Sequence, residues 1–326
     1  MPKKRLTIAV IGAGYWGKKL VSEYLSLSRS SGILRLKCVA DNDKKRLAAV
    51  GHEFGLSRSM LQTDNSRVLR DSSLDAVHLA VPNHLHFKLG MEALESRKHV
   101  LLEKPMTLTA SGALKLARTS KEQSLVLQVG HIFRFNNAVR EARALLAGGL
   151  IGRPLHCHLH WEALFKHHEN RDIIFDLAPH PVDVLNCLTK EWPTRVFTVG
   201  KSLSRQRTKG EEVAETFADF ENNLFAHISL SWIYYGPKRR TISMTGDSGT
   251  IEVDALNQTL SSYKNGVLRR HPIEANNTIR SMIVHFANSI LIGKSHEASA
   301  VIGAKTVSVL CAMKDSMKRK RFVNVV

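Results

Sequence analysis

Short apolar runs alternate with amphipathic stretches through the first 130 residues. Residues 6–11 (LTIAVI), 34–40 (LRLKCVA), 74–81 (LDAVHLAV), 99–102 (HVLL) and 125–129 (LVLQV) are apolar-rich. Runs of this kind suit strands buried on both faces of a parallel sheet. Between them, 15–27, 43–53, 86–96 and 109–122 read as helices, whereas 56–71 is less regular. Strand and helix in turn at this spacing predict a parallel α/β sheet.

Beyond residue 130 the pattern changes. His131 to Asn136 leaves the sheet, and a helix over 137–147 stops at Gly148 and Gly149. Then Leu155, Cys157, Leu159 and Trp161 alternate with His156, His158 and His160, a strand with two unlike faces. Further strands are predicted at 195–200, 213–221, 224–232, 240–245 and 250–254, with a weaker pair around Asn265 and Gly266. The turns Asn222-Asn223, Asp247-Ser248-Gly249 and Asn265-Gly266 are hairpin chemistry, so this sheet is mostly antiparallel. Polar residues 201–212 read as a mobile loop. Helices over 178–188, 278–291 and 298–317 and a strand at 322–325 complete the chain.

Composition narrows the class. At 326 residues, 43% hydrophobic and 23% charged, the chain has room for two globular domains, divided here as 1–130 and 131–326. No apolar run reaches the ~18 residues of a membrane span. The basic start and apolar run of residues 1–10 resemble a signal peptide, but the glycines that follow at once make the run a first strand. The expectation is a cytoplasmic protein with no membrane partner. Cys38, Cys157, Cys187 and Cys311 are scattered without a C-x-x-C, as reduced buried thiols would be. The net charge of +18 would suit a polyanion, yet Lys and Arg are spread along the chain apart from the cluster 318–321. No zinc finger, RNP motif or basic heptad array accompanies them. A nucleic-acid binder therefore rests on charge alone, and a solvated basic surface that draws in anionic cofactors or substrates is preferred.

The chemistry starts at the first strand's end. Gly12, Gly14 and Gly17 form a G-x-G-x-x-G between a strand and a helix. Gly12 allows a tight turn, Gly14 a close backbone approach to a pyrophosphate, and Gly17 close helix–strand packing. The start of the helix then holds the phosphates. Asp41 ends the second strand, where it can bind ribose hydroxyls and repel a 2′-phosphate. That favours NAD, with NADP possible because Lys44, Lys45 and Arg46 follow closely. The first half is thus a Rossmann-type, doubly wound parallel sheet. Ligands of such sheets lie beyond the strands' C-terminal ends, where Pro82, Asn83, His86, Glu103 and Lys104 fall. An ammonium at Lys104 could stabilise a developing alkoxide.

In the second half, Pro179 and Pro181 fit the first turn of a helix beginning near Ala178. His180 then lies where the helix's positive end disfavours imidazolium, which makes it a usable general base. Asp176, just before that helix, can orient it or bind a substrate hydroxyl, and Asp183 is read as structural. The bland alternative is a capped helix with a hydrogen-bonded histidine. His156, His158 and His160 invite a metal, but no fourth ligand is identifiable and none is expected.

Together these motifs resemble the Gfo/Idh/MocA family: GAGYWG at 12–17, Asp41, P-N-x-x-H at 82–86, Glu103-Lys104-Pro105, Arg134-Phe135-Asn136 and Asp176-x-x-x-His180. The resemblance covers nearly the whole chain. It implies NAD or NADP held by Gly12, Gly14, Tyr15, Trp16, Gly17, Asp41, Pro82, Asn83, His86, Glu103 and Lys104. It implies catalysis by Lys104, Asp176 and His180, and substrate contacts from these with Arg134 and Asn136. It further implies a C-terminal α+β domain with an open-faced, mostly antiparallel sheet, association through that sheet into homodimers or homotetramers, and late helices packed on the nucleotide domain. Tyr15-Trp16-Gly17-Lys18, Val129-Gly130-His131, Asp176 to His180, and Ser231-Trp232 with Pro237-Lys238-Arg239 are similar to the branch acting on the 3-hydroxyl of UDP-N-acetylglucosamine or its uronic acid. Pro181, Asp172 and Asn137 depart from that branch, where a second Asp, an Asn and a Pro are expected. The implied function is hydride transfer from a sugar or nucleotide-sugar. A free sugar, sugar phosphate or inositol is the alternative substrate, and a nucleotide-binding sensor without turnover the alternative class.

Overall fold

The computed structural model describes residues 5–165, 172–203, 210–293 and 297–326. Contacts divide them into two compact units, 1–130 with 278–304 and 131–277 with 305–326.

The first unit begins β1 (Leu6–Ile11), α1 (Tyr15–Ser30), β2 (Leu34–Ala40), α2 (Lys44–Phe54), β3 (Leu61–Gln62), α3 (Asn65–Leu69), β4 (Ala76–Leu79), α4 (His86–Glu95), β5 (His99–Leu102), α5 (Ala110–Glu122) and β6 (Leu127–Val129). The strands form one parallel sheet in the order β3-β2-β1-β4-β5-β6. β1 and β4 are buried along almost their whole length, as their unbroken apolarity requires. Sheet order reverses between β1 and β4, and that switch point opens a crevice at the strands' C-terminal ends. Local chemistry sets the helix limits. Asp43 accepts from the amides of Lys45 and Arg46 at the start of α2, and Gly55, left-handed, ends it.

The second unit contains α6 (Asn137–Ala147), β7 (Pro154–Glu162), α7 (Ile173–Leu177), α8 (Pro179–Thr189), β8 (Arg195–Lys201), β9 (Val213–Asp219), β10 (Phe225–Ser231), β11 (Arg239–Gly246), β12 (Gly249–Asp254), β13 (Thr259–Lys264) and β14 (Val267–His271). After α9 (Thr278–Ile292) and α10 (Ala300–Arg319), β15 (Val323–Asn324) ends the chain. The sheet order is β14-β13-β12-β11-β7-β10-β9-β8-β15, antiparallel except for β7 beside β10. The expected antiparallel sheet is therefore present, with one parallel pair at its centre.

Alternation gives this sheet one inward face. Cys157, Leu159 and Trp161 of β7 join Ile228, Leu230, Ile242 and Met244 in a core with Leu177, Leu185 and Leu310. The opposite face carries the histidines. His158 Nδ1 lies 3.3 Å from His227 Nδ1, and His227 Nε2 lies 2.8 Å from Glu215. Among the described residues no group of three His, Cys, Asp or Glu is placed to hold a metal ion.

The structure adjusts three expectations. α9 packs with the first unit, as the resemblance implied for the late helices, so the division at 131–326 does not hold: α9 buries Met282, Ile283 and Phe286, Arg280 reaches Ser26 and Ser30 of α1 at 3.0 and 2.8 Å, and Gln128 donates to the Met282 carbonyl at 3.2 Å. The second unit is therefore not continuous in sequence. Of the loop expected at 201–212, Lys201 ends β8 and accepts from the Glu212 amide at 2.8 Å, while 204–209 lie outside the described residues. The helix expected over 178–188 is present as α8; what was not expected is the short α7 ahead of it, which meets it at Ala178.

A buried ion pair ties the start of the second unit to α8. Arg134, 2% exposed, donates from Nε to Asp183 Oδ1 at 2.6 Å and from Nη2 to Asn186 Oδ1 at 2.6 Å. Removing one member of such a pair strands a charge in the core. Arg134→Leu should cost about 3–5 kcal/mol in urea unfolding, and adding Asp183→Leu should recover part of that loss.

Candidate active site

The nucleotide side is built at the ends of β1 and β2. Gly12 has φ +107°, and a Cβ there would sit 2.2 Å from the Ala80 carbonyl oxygen, so the end of β1 lies against the turn after β4. A Cβ on Gly14, by contrast, would meet nothing within 4 Å. Gly14 also caps α1 without a side chain, and no acid stands in the first turn. The helix start is thus an open, uncapped set of amides of the kind that holds phosphate. Beside it, the Trp16 Nε1 is buried with no hydrogen-bond partner among the described residues. Tyr15 is 77% exposed, with the Lys19 ammonium 4.6 Å above its ring.

Asp41 is buried and its two oxygens are already at work. Oδ2 accepts from the Ala13 amide at 2.8 Å and Oδ1 from the Asp43 amide at 2.9 Å, with the Arg46 guanidinium 3.6 Å away. Asp41 thus braces the glycine loop, and its carboxylate has lone pairs left for a ribose diol. An open glycine, an uncapped helix start, an orphaned indole N–H and an acid at the second strand fit a dinucleotide.

Further along the same sheet edge, Pro82 is exposed and Asn83 half-buried in a 3₁₀ turn, while Lys104 is half-buried and joined to Pro105 by a cis peptide. Glu103 is 8% exposed. His86 does not face the crevice. It is fully buried, with Nδ1 2.7 Å from the Pro105 carbonyl and Nε2 2.9 Å from the Val81 carbonyl. The neutral ring has one N–H, so it donates to one of these carbonyls and packs against the other, between the turns after β4 and β5, instead of offering a nitrogen to a ligand.

In the second unit, Asp172 accepts from the amides of Ile174 and Phe175 at 2.9 and 3.2 Å, and Lys314 holds its other oxygen at 2.7 Å. This cap starts α7, so Asp176 lies within a short helix as well as just ahead of α8. His180 follows one turn later in α8. Its Nδ1 is shut off from solvent, and its ring stands edge-on to Phe133 at 5.2 Å. Phe133 meets Trp161 in the same way at 5.3 Å, and the Arg240 guanidinium lies 5.8 Å from the Trp161 ring. The Ala178 amide donates to Ile174 and the Val182 amide to Ala178. The backbone is therefore nearly continuous through Ala178, which removes the expected free helix start beside His180.

Arg240 is a participant that sequence reasoning missed. It is 4% exposed and donates to the carbonyls of Glu162 and Arg239 at 3.1 and 2.6 Å. Burial brings its pKa down to about 10, against the opposing pull of Asp176 and Glu162. The signal was present: in β11, Arg240 takes the inward phase that Ile242 and Met244 continue. Arg134 and Asn136 are the converse case, expected at the substrate but engaged inside the unit. Asn136 Oδ1 caps α6 through the Val139 amide at 3.1 Å, and Nδ2 donates to the Ala255 carbonyl at 2.9 Å.

Burial outweighs the two carbonyls at His86 and lowers its pKa below the usual 6.5. The unfolded chain then takes up a proton that the folded one resists, so stability present at neutral pH is lost as pH falls below ~6.5. The melting temperature should drop between pH 7 and 5.5, and His86→Gln should reduce that drop. Equal slopes in the two proteins would exclude His86 as a source.

Comparison with known proteins agrees with both halves. Residues 6–131 match the oxidoreductase family with an NAD-binding Rossmann fold, and 139–252 match the GFO/IDH/MocA C-terminal domain. A UDP-N-acetylglucosamine 3-dehydrogenase of Acidithiobacillus ferrooxidans is 30% identical over 79% of this chain and 76% of its own. Inositol 2-dehydrogenase 2 of Mycolicibacterium vanbaalenii is 32% identical over 57% and 54%. In fold, an oxidoreductase from Agrobacterium radiobacter solved with NAD+, L-tartaric acid and magnesium superposes with a TM-score of 0.88 at 21% identity, covering 99% of each chain. With the glycine cradle matched by one family domain and the Asp176–His180 segment by the other, the chain belongs to the Gfo/Idh/MocA oxidoreductases and binds NAD.

Proposed function

We propose that the protein oxidises a secondary hydroxyl of a sugar, with a UDP-hexosamine or its uronate as first candidate. The observation that carries the reading is the Asp176–His180 pair on α7 and α8, backed by Phe133 and Trp161 and neighboured by a buried arginine. NAD, when bound, supplies the acceptor for the hydride that leaves the carbinol carbon. His180 takes the hydroxyl proton. Its ring plane is set by the edge contact with Phe133, so the base is aimed before substrate arrives. Asp176 orients His180 or a sugar hydroxyl. The Lys104 ammonium, at the end of β5, stabilises the oxygen as its proton leaves. The 30% identical UDP-N-acetylglucosamine dehydrogenase supports the nucleotide-sugar, and the inositol dehydrogenase supports a cyclic polyol as second reading.

The proposal includes self-association through the outward face of the nine-stranded sheet, where Phe217 stacks on Phe225 at 5.8 Å and on His227 at 4.8 Å. It also includes a cytoplasmic location. All four cysteines are free thiols, and no helix among the described residues is long and apolar enough to cross a membrane.

Absorbance of reduced nicotinamide should rise with NAD and a UDP-hexosamine. A rise with inositols or free sugars alone would move the substrate to the second reading, and no rise with any of them would reject sugar oxidation. His180→Ala should lower turnover about 10²–10⁴-fold while NADH binding persists; a change of only a few-fold would remove His180 as the base. Calorimetry should give tighter binding of NAD than of NADP. Asp41→Asn should narrow the difference, because the carboxylate that repels a 2′-phosphate is gone.

A further inference from the structure

Tyr24 on α1, His78 on β4 and Glu103 after β5 form a continuous polar chain inside the first unit, and no role assigned so far uses the first two. Tyr24 and His78 are fully buried. The Tyr24 hydroxyl lies 3.1 Å from His78 Nδ1, with the rings edge-to-face at 5.7 Å, and His78 Nε2 lies 3.2 Å from Glu103 Oε1. A histidine in the middle of a strand buried on both faces is costly unless each ring nitrogen has a partner. Here each has one, and the partners dictate the protons. A carboxylate only accepts, so Nε2 carries the hydrogen. Nδ1 then has a lone pair, and the tyrosine donates to it. The whole chain is satisfied with His78 neutral. Burial and Glu103 both raise the Tyr24 pKa, which keeps its proton in place.

The other side of Glu103 is equally constrained. A Cβ on Gly130 would come within 2.8 Å of Glu103 Oε2 and 3.0 Å of its carboxyl carbon. The carboxylate therefore lies between an imidazole N–H and bare backbone, one residue before Lys104. Two apolar residues in place of Tyr24 and His78 would fill the same space without the desolvation cost. What such a replacement would lose is the fixed direction of Glu103.

We propose that Tyr24 and His78 are positioning residues: through one tautomer-locked hydrogen bond they fix how Glu103 presents its carboxylate at the nucleotide crevice, and so set the affinity for NAD. This rests on the reading of Glu103 as a nucleotide-binding residue.

Two measurements test it. In the free protein, ¹⁵N spectra of the neutral ring should show His78 carrying its proton on Nε2. A neutral His78 that carries its proton on Nδ1 would overturn the relay. The second readout is the Kd for NADH by fluorescence. His78→Leu should weaken binding about tenfold or more, the scale of one charge-assisted hydrogen bond. His78→Gln, which keeps an N–H donor, should restore most of it. In a Glu103→Gln background His78→Leu should add nothing. An effect within twofold in the native background, or an equal loss in both, would overturn the proposal. Should His78→Leu fail to fold, Tyr24→Phe decides: it removes only the hydroxyl, leaves Glu103 to hold the proton on Nε2, and should weaken NADH binding because the ring loses its second anchor; an affinity within twofold of the native protein's would refute the chain. If the wild-type protein failed to bind NADH, the nucleotide reading would fall, while the ¹⁵N spectra would still decide the relay.

Discussion

At the switch point of the parallel sheet, the end of β1 and the turn after β4 come so close that only a hydrogen fits between Gly12 and the Ala80 carbonyl. The crevice in front of them depends on that contact. It brings the Gly14 amide and the start of α1 to one edge, and it places the turns after β4 and β5 beside them. Neither turn is held by its own sequence alone. His86 reaches a carbonyl in each, and Asp41 reaches back to the Ala13 amide. A loop that binds phosphate through backbone amides needs such bracing, because its glycines supply none.

The second unit solves a different problem with the same economy. A sheet covered on one face places every second residue in the core, and Trp161 and Arg240 occupy inward positions of β7 and β11. Their size carries the packing out to Phe133 and from there to His180. His180, the proposed base, is therefore seated against aromatic edges. Around it, charge is kept in partnership: Arg134 with Asp183, and Arg240 with carbonyls and the field of Asp176. Unpaired, any of these would cost several kcal/mol in the interior.

Most of the fold was legible because its signals are local. Unbroken apolar runs mark the parallel strands, alternation marks β7 to β12, and the glycine fingerprint and Asp41 have one reading in that setting. What was not legible depends on distance. Nothing near Arg134 announces that its partners are Asp183 and Asn186, so an arginine at the exit from the sheet reads as a ligand for substrate. His86 sits in a motif at a strand end, and only the carbonyls of Val81 and Pro105 show it to be a brace. The return of α9 to the first unit was implied by the family resemblance alone, because the contacts with α1 and Gln128 that hold it there are hidden by sequence order. Asp176 was placed ahead of a helix because Pro179 and Pro181 mark a helix start. The cap at Asp172 that begins α7 is an equally ordinary signal, but a weaker one.

The parallel pair at the centre of the second sheet bears on how the chain folds. β7 and β10 run in the same direction, with His156 opposite Phe225. No tight turn can join such neighbours, so the chain between them must cross over. That crossover carries α7, α8, β8 and β9, and with them Asp176 and His180. The segment proposed to handle the proton is thus the connection that closes the sheet's middle. Its order comes from a pairing of high sequence separation, which is slow to form. Early collapse can gather the hairpins of β11 to β14, but Asp176 and His180 acquire fixed positions only when the centre of the sheet is complete. A partly folded chain of this kind would hold much of its secondary structure and none of its chemistry.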